Sequence, residues 1–299
     1  MNLLVTDAWR CTPAQLDQLR QMGHTVEFMQ NESDPLPVDP AWVEGLVCNG
    51  LFLHHSIDLF THLQFIQLTS AGFDRVPMEQ VQQRGIKICN ARGVYGIPMA
   101  EFAVSGVLQL YKQSRFFAEN QKTHGWNKHR GLLELWGKQV TVVGCGNIGQ
   151  ECAKRFAAFD CRVVGVDIFE AQLPHIDQMY HISKLQAVLP DSDVVVLTLP
   201  LTEQTHHLFR QEMFRAMKSG AILVNIARGG VVETQALVEA LNGHLGGAVL
   251  DVFEQEPLSP DCPLWDMENV LITPHNSFVG DNNSRRLAAV IMNNLENAN

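Results

Sequence analysis

The stretch "VTVVGCGNIG" constrains the fold of this chain more than any other part of its 299 residues. A β-forming run leads into Gly144, Gly146 and Gly149, whose G-x-G-x-x-G spacing opens the helical pattern "QECAKRF". A strand, loop and helix in that order read as the first βα turn of a doubly wound sheet. The first glycine permits the tight turn, the second lets the backbone approach a pyrophosphate, and the third lets helix and strand pack closely. The next strand pattern, "CRVVGVD", ends in Asp167, 18 residues beyond Gly149, where a carboxylate accepts from both ribose hydroxyls of an adenosine half. Asp167 also repels a 2'-phosphate, and neither Ile168 nor Phe169 supplies a cation in compensation. The expected cofactor is NAD, in preference to NADP.

The rest of the chain extends the same α/β logic. "NLLVT" leads to a helix near residues 12–22, and "TVEFM", "VEGLVCN", "LQFIQLTS" and "IKICN" follow as strand candidates. Alternation of this kind implies βα units and a mostly parallel sheet. A break comes at "NARGVYGIPMAEF", after which a helical pattern runs to about Phe117. Pro98 suits a first helical position and Glu101 complements the helix dipole. A second series then supplies six strand candidates, in "KQVTVVG", "CRVVGVD", "SDVVVLTLP", "AILVNIA", "GGAVLDVF" and "NVLITPH". Six is the number a full doubly wound dinucleotide fold needs. The boundaries expected are a first domain over 1–97 completed by 279–299, with the terminal helix returning to it, and a cofactor domain over 98–278.

Charge and cysteine usage exclude several classes of function. The formal charge is −10 with no dense Lys/Arg cluster, which argues against nucleic acid as a partner, because phosphate-backbone affinity comes from many basic contacts. The longest apolar runs, such as "DVVVLTLPL", are strand-length and too short to span a membrane. The N-terminus enters a strand pattern at once, without a secretory signal. Seven scattered cysteines with no C-x-x-C pair fit a reducing cytoplasm.

Ligands of open α/β sheets sit beyond the carboxyl ends of the strands, and three useful side chains fall there. Arg228 follows "AILVNIA", Glu256 follows "AVLDVF", and His275 follows "VLITP". An arginine grips a carboxylate with two parallel bonds and polarises an adjacent carbonyl. A histidine exchanges a proton near neutral pH, and a neighbouring carboxylate favours its charged form. With a bound nicotinamide these three groups make a ketone reductase. The pairs His54–His55 and His206–His207 are set aside as metal ligands, because adjacent side chains diverge on a helix or strand and no Cys/His framework surrounds them.

The motifs "GCGNIG", "LPLTEQT", "NIARGGVVE", "LDVFEQEPL" and "ITPH", in that order and spacing, resemble those of the D-isomer-specific 2-hydroxyacid dehydrogenases. The likeness runs from about Thr69 to Ser277. It implies that Arg228 binds a small 2-oxo or 2-hydroxy acid, that His275 is the acid/base and that Glu256 tunes it. It also implies a discontinuous, flavodoxin-like first domain that closes over the Rossmann cofactor domain. Within "TSAGFD" it assigns the substrate carboxylate to backbone N–H groups near Ala71 and Gly72. Further cofactor contacts are implied at Asn147, Ile148, Leu199, Pro200, Thr205, Ile226, Ala227 and Asp251, and a homodimer through the helix near 98–117 and the arm around "HGWNKHR".

Relatives of other function stay in view. Formate dehydrogenases share the scaffold, but glutamine usually stands there in place of Glu256. Phosphite oxidation and 3-phosphoglycerate oxidation use the same three residue types, and corepressor relatives use the fold as an NAD-sensing module. The segment "PHNSFVG" departs from the commoner small-residue continuation after the histidine, and the sequence does not identify the substrate's side chain.

Overall fold

The structure is a computed structural model that describes residues 1–298. They fall into two compact units, one made of Met1–Tyr95 with the segment from Gly280 onward, the other of Gly96–Val279.

The first unit holds five strands: β1 (Asn2–Thr6), β2 (Thr25–Met29), β3 (Gly45–Cys48), β4 (Phe65–Leu68) and β5 (Lys87–Cys89). They pair in parallel in the order β2-β1-β3-β4-β5, the flavodoxin-like arrangement whose direction reverses between β1 and β3. Strands β3 and β4 are buried along their whole length, as strands covered on both faces must be. Helix Asn283–Glu296 belongs to this unit because its apolar residues recur every four positions, a stripe along one face. Leu287, Ile291 and Leu295 pack in one cluster with Leu3, Val5, Trp9 and Phe65. The buried Gln67 of β4 accepts from Asn294 at 2.8 Å and donates to the Leu68 carbonyl at 2.8 Å, so its amide lacks neither donor nor acceptor.

The second unit holds β6 (Gln139–Val143), β7 (Arg162–Asp167), β8 (Gln178–His181), β9 (Val194–Leu197), β10 (Ile222–Asn225), β11 (Gly247–Leu250) and β12 (Val270–Ile272). They form one parallel sheet in the order β12-β11-β10-β9-β6-β7-β8. The order reverses at β6 and β9, and the glycine loop leaves β6 at that switch point. The sequence offered six strands here and the structure has seven. Strand β8 reads "QMYH", with its first and last residues exposed, so no apolar run marks it; pairing with β7 makes it a strand.

The helix expected to run to Phe117 ends sooner. It spans Gly96–Tyr111 and a separate helix covers Ser114–Lys122. Gln113 between them sits in the left-handed region at φ 52°, a break that no glycine or proline announces. The second helix is anchored in its new direction by Arg115, which donates to the carbonyls of Met267 and Glu268 at 3.1 and 3.2 Å. Pro98 lies at the third helical position, still within the turn whose N–H groups have no intrahelical acceptor.

Candidate active site

Each of the three loop glycines meets a different demand. Gly144 has φ +94°, and a Cβ there would lie 2.7 Å from the Leu199 nitrogen. A Cβ on Gly149 would fall 2.1 Å from the Gly144 carbonyl oxygen, so the helix packs on the strand only because both are glycine. At Gly146 a Cβ would meet nothing within 4 Å. The residue is exposed and caps helix Asn147–Ala157, whose first-turn N–H groups at Asn147 and Ile148 have no intrahelical acceptor. An exposed glycine before free helical amides is a place for a pyrophosphate. Thr198 braces the loop by donating to the Gly144 carbonyl at 2.5 Å.

Asp167 closes β7 with its carboxylate turned back to this loop. It accepts from the Cys145 amide at 2.6 Å and from the Ile168 amide at 2.7 Å, which fixes it beside the turn. Ile168 and Phe169 are exposed. These residues fit a dinucleotide with an unphosphorylated ribose: a phosphate cradle, then an anchored carboxylate one strand away.

Leu199, Ile226 and Ala227 are buried, and Pro200 is exposed. Thr205 folds its own loop, accepting from the Thr202 amide and donating to the Pro200 carbonyl, both at 2.7 Å. Arg228 follows β10 on a loop held by the buried Asn225. The Asn225 side chain accepts from the Ala227 amide at 3.1 Å and donates to the Arg228 carbonyl at 3.2 Å. One guanidinium nitrogen donates to the Ala227 carbonyl at 2.8 Å. Gly229 then runs hard against the Phe253–Glu254 backbone, 1.9 Å from where its Cβ would be. That contact brings the Arg228 loop against the segment bearing Glu256.

His275 and Glu256 meet. The ring's Nδ1 lies 2.8 Å from Glu256 Oε2, and Glu256 Oε1 accepts from the Phe253 amide at 3.0 Å. A carboxylate on Nδ1 makes that nitrogen the donor and leaves Nε2 for chemistry. The histidine backbone is left-handed at φ 50°, an uncommon state for a residue with a Cβ. Asp251 enforces it. Its fully buried carboxylate accepts from the Thr273 hydroxyl at 2.5 Å and from the Asn276 and Ser277 amides at 2.7 and 2.9 Å, while its carbonyl takes the His275 amide at 2.8 Å. The residue assigned by resemblance to the cofactor thus spends its carboxylate on the loop that aims the histidine.

A second histidine–carboxylate pair lies nearby and was not read from the sequence. His207 Nε2 is 2.5 Å from Glu254 Oε1, and Glu254 Oε2 accepts from the Thr234 amide at 2.7 Å and from the Thr234 hydroxyl. Burial pushes the Glu254 carboxyl up, but the Thr234 donors and His207 outweigh it and hold it below the usual value. Glu254 therefore ties the 200–207 loop and helix Thr234–Gly243 to the segment carrying Glu256. The rings of His206 and His207 stack at 3.9 Å and do not diverge, because the pair sits in a turn with His207 at φ 50°. No group of three His, Cys, Asp or Glu side chains placed to hold a metal occurs among the described residues.

In the first unit, Ala71 and Gly72 follow β4 in a bend. Their carbonyls are occupied, Ala71 by Asn90 at 2.6 Å and Gly72 by the Ser70 hydroxyl at 3.0 Å. Their N–H groups meet no backbone acceptor among the described residues.

Comparison with known proteins gives a consistent result. The family model for the NAD binding domain of D-isomer specific 2-hydroxyacid dehydrogenases matches residues 104–277. A glyoxylate reductase of Thermofilum pendens is 36% identical over 252 residues, covering 80% of this chain and 73% of that protein. Among solved structures, a D-isomer specific 2-hydroxyacid dehydrogenase family protein from Aeromonas salmonicida superposes with a TM-score of 0.84 at 32% identity, covering 98% of this chain and 94% of the other. D-lactate dehydrogenase from Aquifex aeolicus, complexed with NAD and lactic acid, gives 0.80 at 25% identity, covering 99% and 94%.

Proposed function

The chain belongs to the D-isomer specific 2-hydroxyacid dehydrogenase family, and from that premise we propose that it reduces a small 2-oxo acid with Arg228, Glu256 and His275 as its working residues. It is an NAD-dependent oxidoreductase acting on the CH–OH group of 2-hydroxy acids. The observation that carries the residue assignment is the 2.8 Å bond from His275 Nδ1 to Glu256, on the same edge of the sheet as Arg228.

When bound, the nicotinamide supplies a hydride to the carbonyl carbon. Gly146 with the amides of Asn147 and Ile148 would hold its pyrophosphate, and Asp167 its adenosine ribose. His275 Nε2 delivers a proton to the carbonyl oxygen and takes it back in the reverse direction, while Glu256 fixes the ring's tautomer and orientation. The Arg228 guanidinium pairs with the substrate carboxylate and draws charge from the carbonyl. Within the first unit, the bend at Ala71 and Gly72, whose N–H groups meet no backbone acceptor among the described residues, suits a substrate carboxylate.

The test is NADH oxidation followed by absorbance with glyoxylate and hydroxypyruvate as acceptors. Turnover is expected with at least one, and kcat/KM with NADPH is expected to be lower by roughly 100-fold, since a phosphate beside an anchored carboxylate meets like charge. No turnover with any 2-oxo acid would end the proposal. Comparable NADPH activity would end the assignment of Asp167.

We also read the chain as a homodimer. Phe117, Trp126, Leu132, Leu133 and Trp136, on and after helix Ser114–Lys122, are all exposed, Trp126 at 95% and Trp136 at 71%. An apolar hollow of about 500 Å³ lies in the same unit, lined by Val104, Leu108, Ala158 and Phe159 among others. So much apolar surface on one unit calls for cover. Sedimentation at twice the 33.4 kDa chain mass is expected, and a monomer at micromolar concentration would refute it. Burial pushes the Cys145 and Cys152 thiols up to about 12 and Cys161 to about 11, which keeps them protonated and weakly reactive near neutral pH. No helix among the described residues is long and apolar enough to cross a membrane.

A further inference from the structure

The switch point of the first sheet, between β1 and β3, is where a flavodoxin-like sheet offers a ligand site. Here the chain fills it with a side chain of its own. Thr6 ends β1, and Asn49 and Gly50 follow β3. Their donors converge on the carboxylate of Glu32. The Thr6 hydroxyl lies 2.8 Å from Oε1, the Asn49 amide 2.7 Å from Oε1 and the Gly50 amide 2.6 Å from Oε2. Thr6 and Gly50 are buried. The Glu32 backbone is pinned as well, its carbonyl lying 3.0 Å from His55 Nε2. Two adjacent amides and a hydroxyl form a small anion cradle, and the anion in it is covalently attached.

The cradle borders the bend assigned to the substrate carboxylate. Strands β3 and β4 are hydrogen-bonded neighbours with Cys48 opposite Leu68, and the Thr69 amide donates to the Cys48 carbonyl at 2.9 Å. The loops leaving these strands, Asn49–Gly50 and Ser70–Gly72, are therefore side by side, about 5 Å apart at their roots. A 2-oxo acid held by the amides of Ala71 and Gly72 presents its side chain within reach of Gly50. A Cβ at Gly50 would lie 3.4 Å from Glu32 Oε2 and 3.7 Å from the Cδ methylene of Arg75. The space there is bounded by the Glu32 carboxylate oxygen, a methyl of Leu53 at 3.5 Å and the stem of the Arg75 side chain, with the two amides already engaged.

We propose that Glu32 determines specificity: by occupying the amide pair of Asn49 and Gly50 with a fixed negative charge, it restricts the substrate to 2-oxo acids whose side chain is uncharged. The inference rests on the assignment of Ala71 and Gly72 made above, and it separates reductases of glyoxylate or hydroxypyruvate from oxidoreductases of phosphorylated acids, which the Arg228, Glu256 and His275 set alone does not. A distal phosphate or carboxylate would meet Glu32 at close range and find the Asn49 and Gly50 amides and the Thr6 hydroxyl taken.

The test compares kcat/KM for hydroxypyruvate and for its 3-phosphate ester, in the full-length wild type and in Glu32→Gln. In the wild type the unphosphorylated acid is expected to be favoured on the order of 100-fold, the effect of one like charge a few ångströms away. In Glu32→Gln that ratio is expected to fall by at least about tenfold, chiefly through KM for the phosphate ester. A wild type that prefers the ester, or a ratio unmoved by the substitution, overturns the inference. Thermal melting with added inorganic phosphate gives a readout that needs no catalysis. Phosphate is expected to raise the Tm of Glu32→Gln and Glu32→Ala and to leave the wild type unmoved, and no rise in either variant counts against the cradle. If the wild type turns over no 2-oxo acid, the dehydrogenase proposal fails, and the phosphate titration still decides the role of Glu32.

Discussion

His275→Ala is expected to lower kcat by about 10²- to 10⁴-fold while the dissociation constant for NADH, measured by fluorescence titration, stays nearly unchanged. The split follows from geometry. His275 Nδ1 is committed to Glu256 at 2.8 Å, so of its two ring nitrogens Nε2 remains to exchange the proton. The nearby pair of His207 with Glu254 is no substitute, because His207 presents Nε2 to that carboxylate and Glu254 is bound to Thr234 besides. The residues proposed for the pyrophosphate and the adenosine ribose lie elsewhere on the sheet edge, at the ends of β6 and β7, and keep their places in the variant. A drop in kcat below about tenfold, or an equal loss of NADH affinity, would remove His275 from the chemistry.

Asp251→Ala is expected to cost both stability and turnover. Its carboxylate satisfies the Asn276 and Ser277 amides and the Thr273 hydroxyl in a fully buried position. Leaving buried donors without an acceptor costs about 1 to 3 kcal/mol each, so a loss of roughly 3 kcal/mol and a fall in Tm of about 6 to 12 °C are expected. Because the same bonds hold the strained turn at His275, kcat should fall as well. Asp251→Asn should land between the two. Its oxygen can keep Thr273 and Asn276, but its amide nitrogen then faces the Ser277 N–H. Calorimetry and initial rates on the two variants check this, and an unaltered Tm for Asp251→Ala would show that the loop does not depend on that carboxylate.

The features legible in the sequence are those whose physical requirement is local. Three glycines at fixed spacing after a strand state their own reasons, and the structure shows the tight turn at Gly144 and the close packing at Gly149. The alternation of apolar runs with helical patterns gave the α/β class. Arg228, Glu256 and His275 could be suspected because each follows an apolar, strand-like run. Features that depend on distant partners were hidden. Strand β8 has no apolar run and exists through its pairing with β7. The break at Gln113 uses a left-handed residue that is not glycine. Glu254 sits 47 residues from His207 and 20 from Thr234, and nothing nearby in sequence marks it as the tie between loops. Asp251 shows the converse difficulty, since a strand-end aspartate looks the same whether it faces a ligand or its own loop.

The return of helix Asn283–Glu296 to the first unit fixes an order of assembly. As the chain is synthesised, every residue of Gly96–Val279 is available once Val279 has been added, and that unit can complete its core by itself. The first unit begins earlier and finishes later. Its sheet is made within the first ninety or so residues, yet the face built from Leu3, Val5 and Phe65, on which Trp9 and Leu19 already pack, stays incompletely covered until Leu287, Ile291 and Leu295 are made. Until then the unit that carries Glu32 keeps part of its apolar face exposed to whatever chaperone or stray partner meets it first.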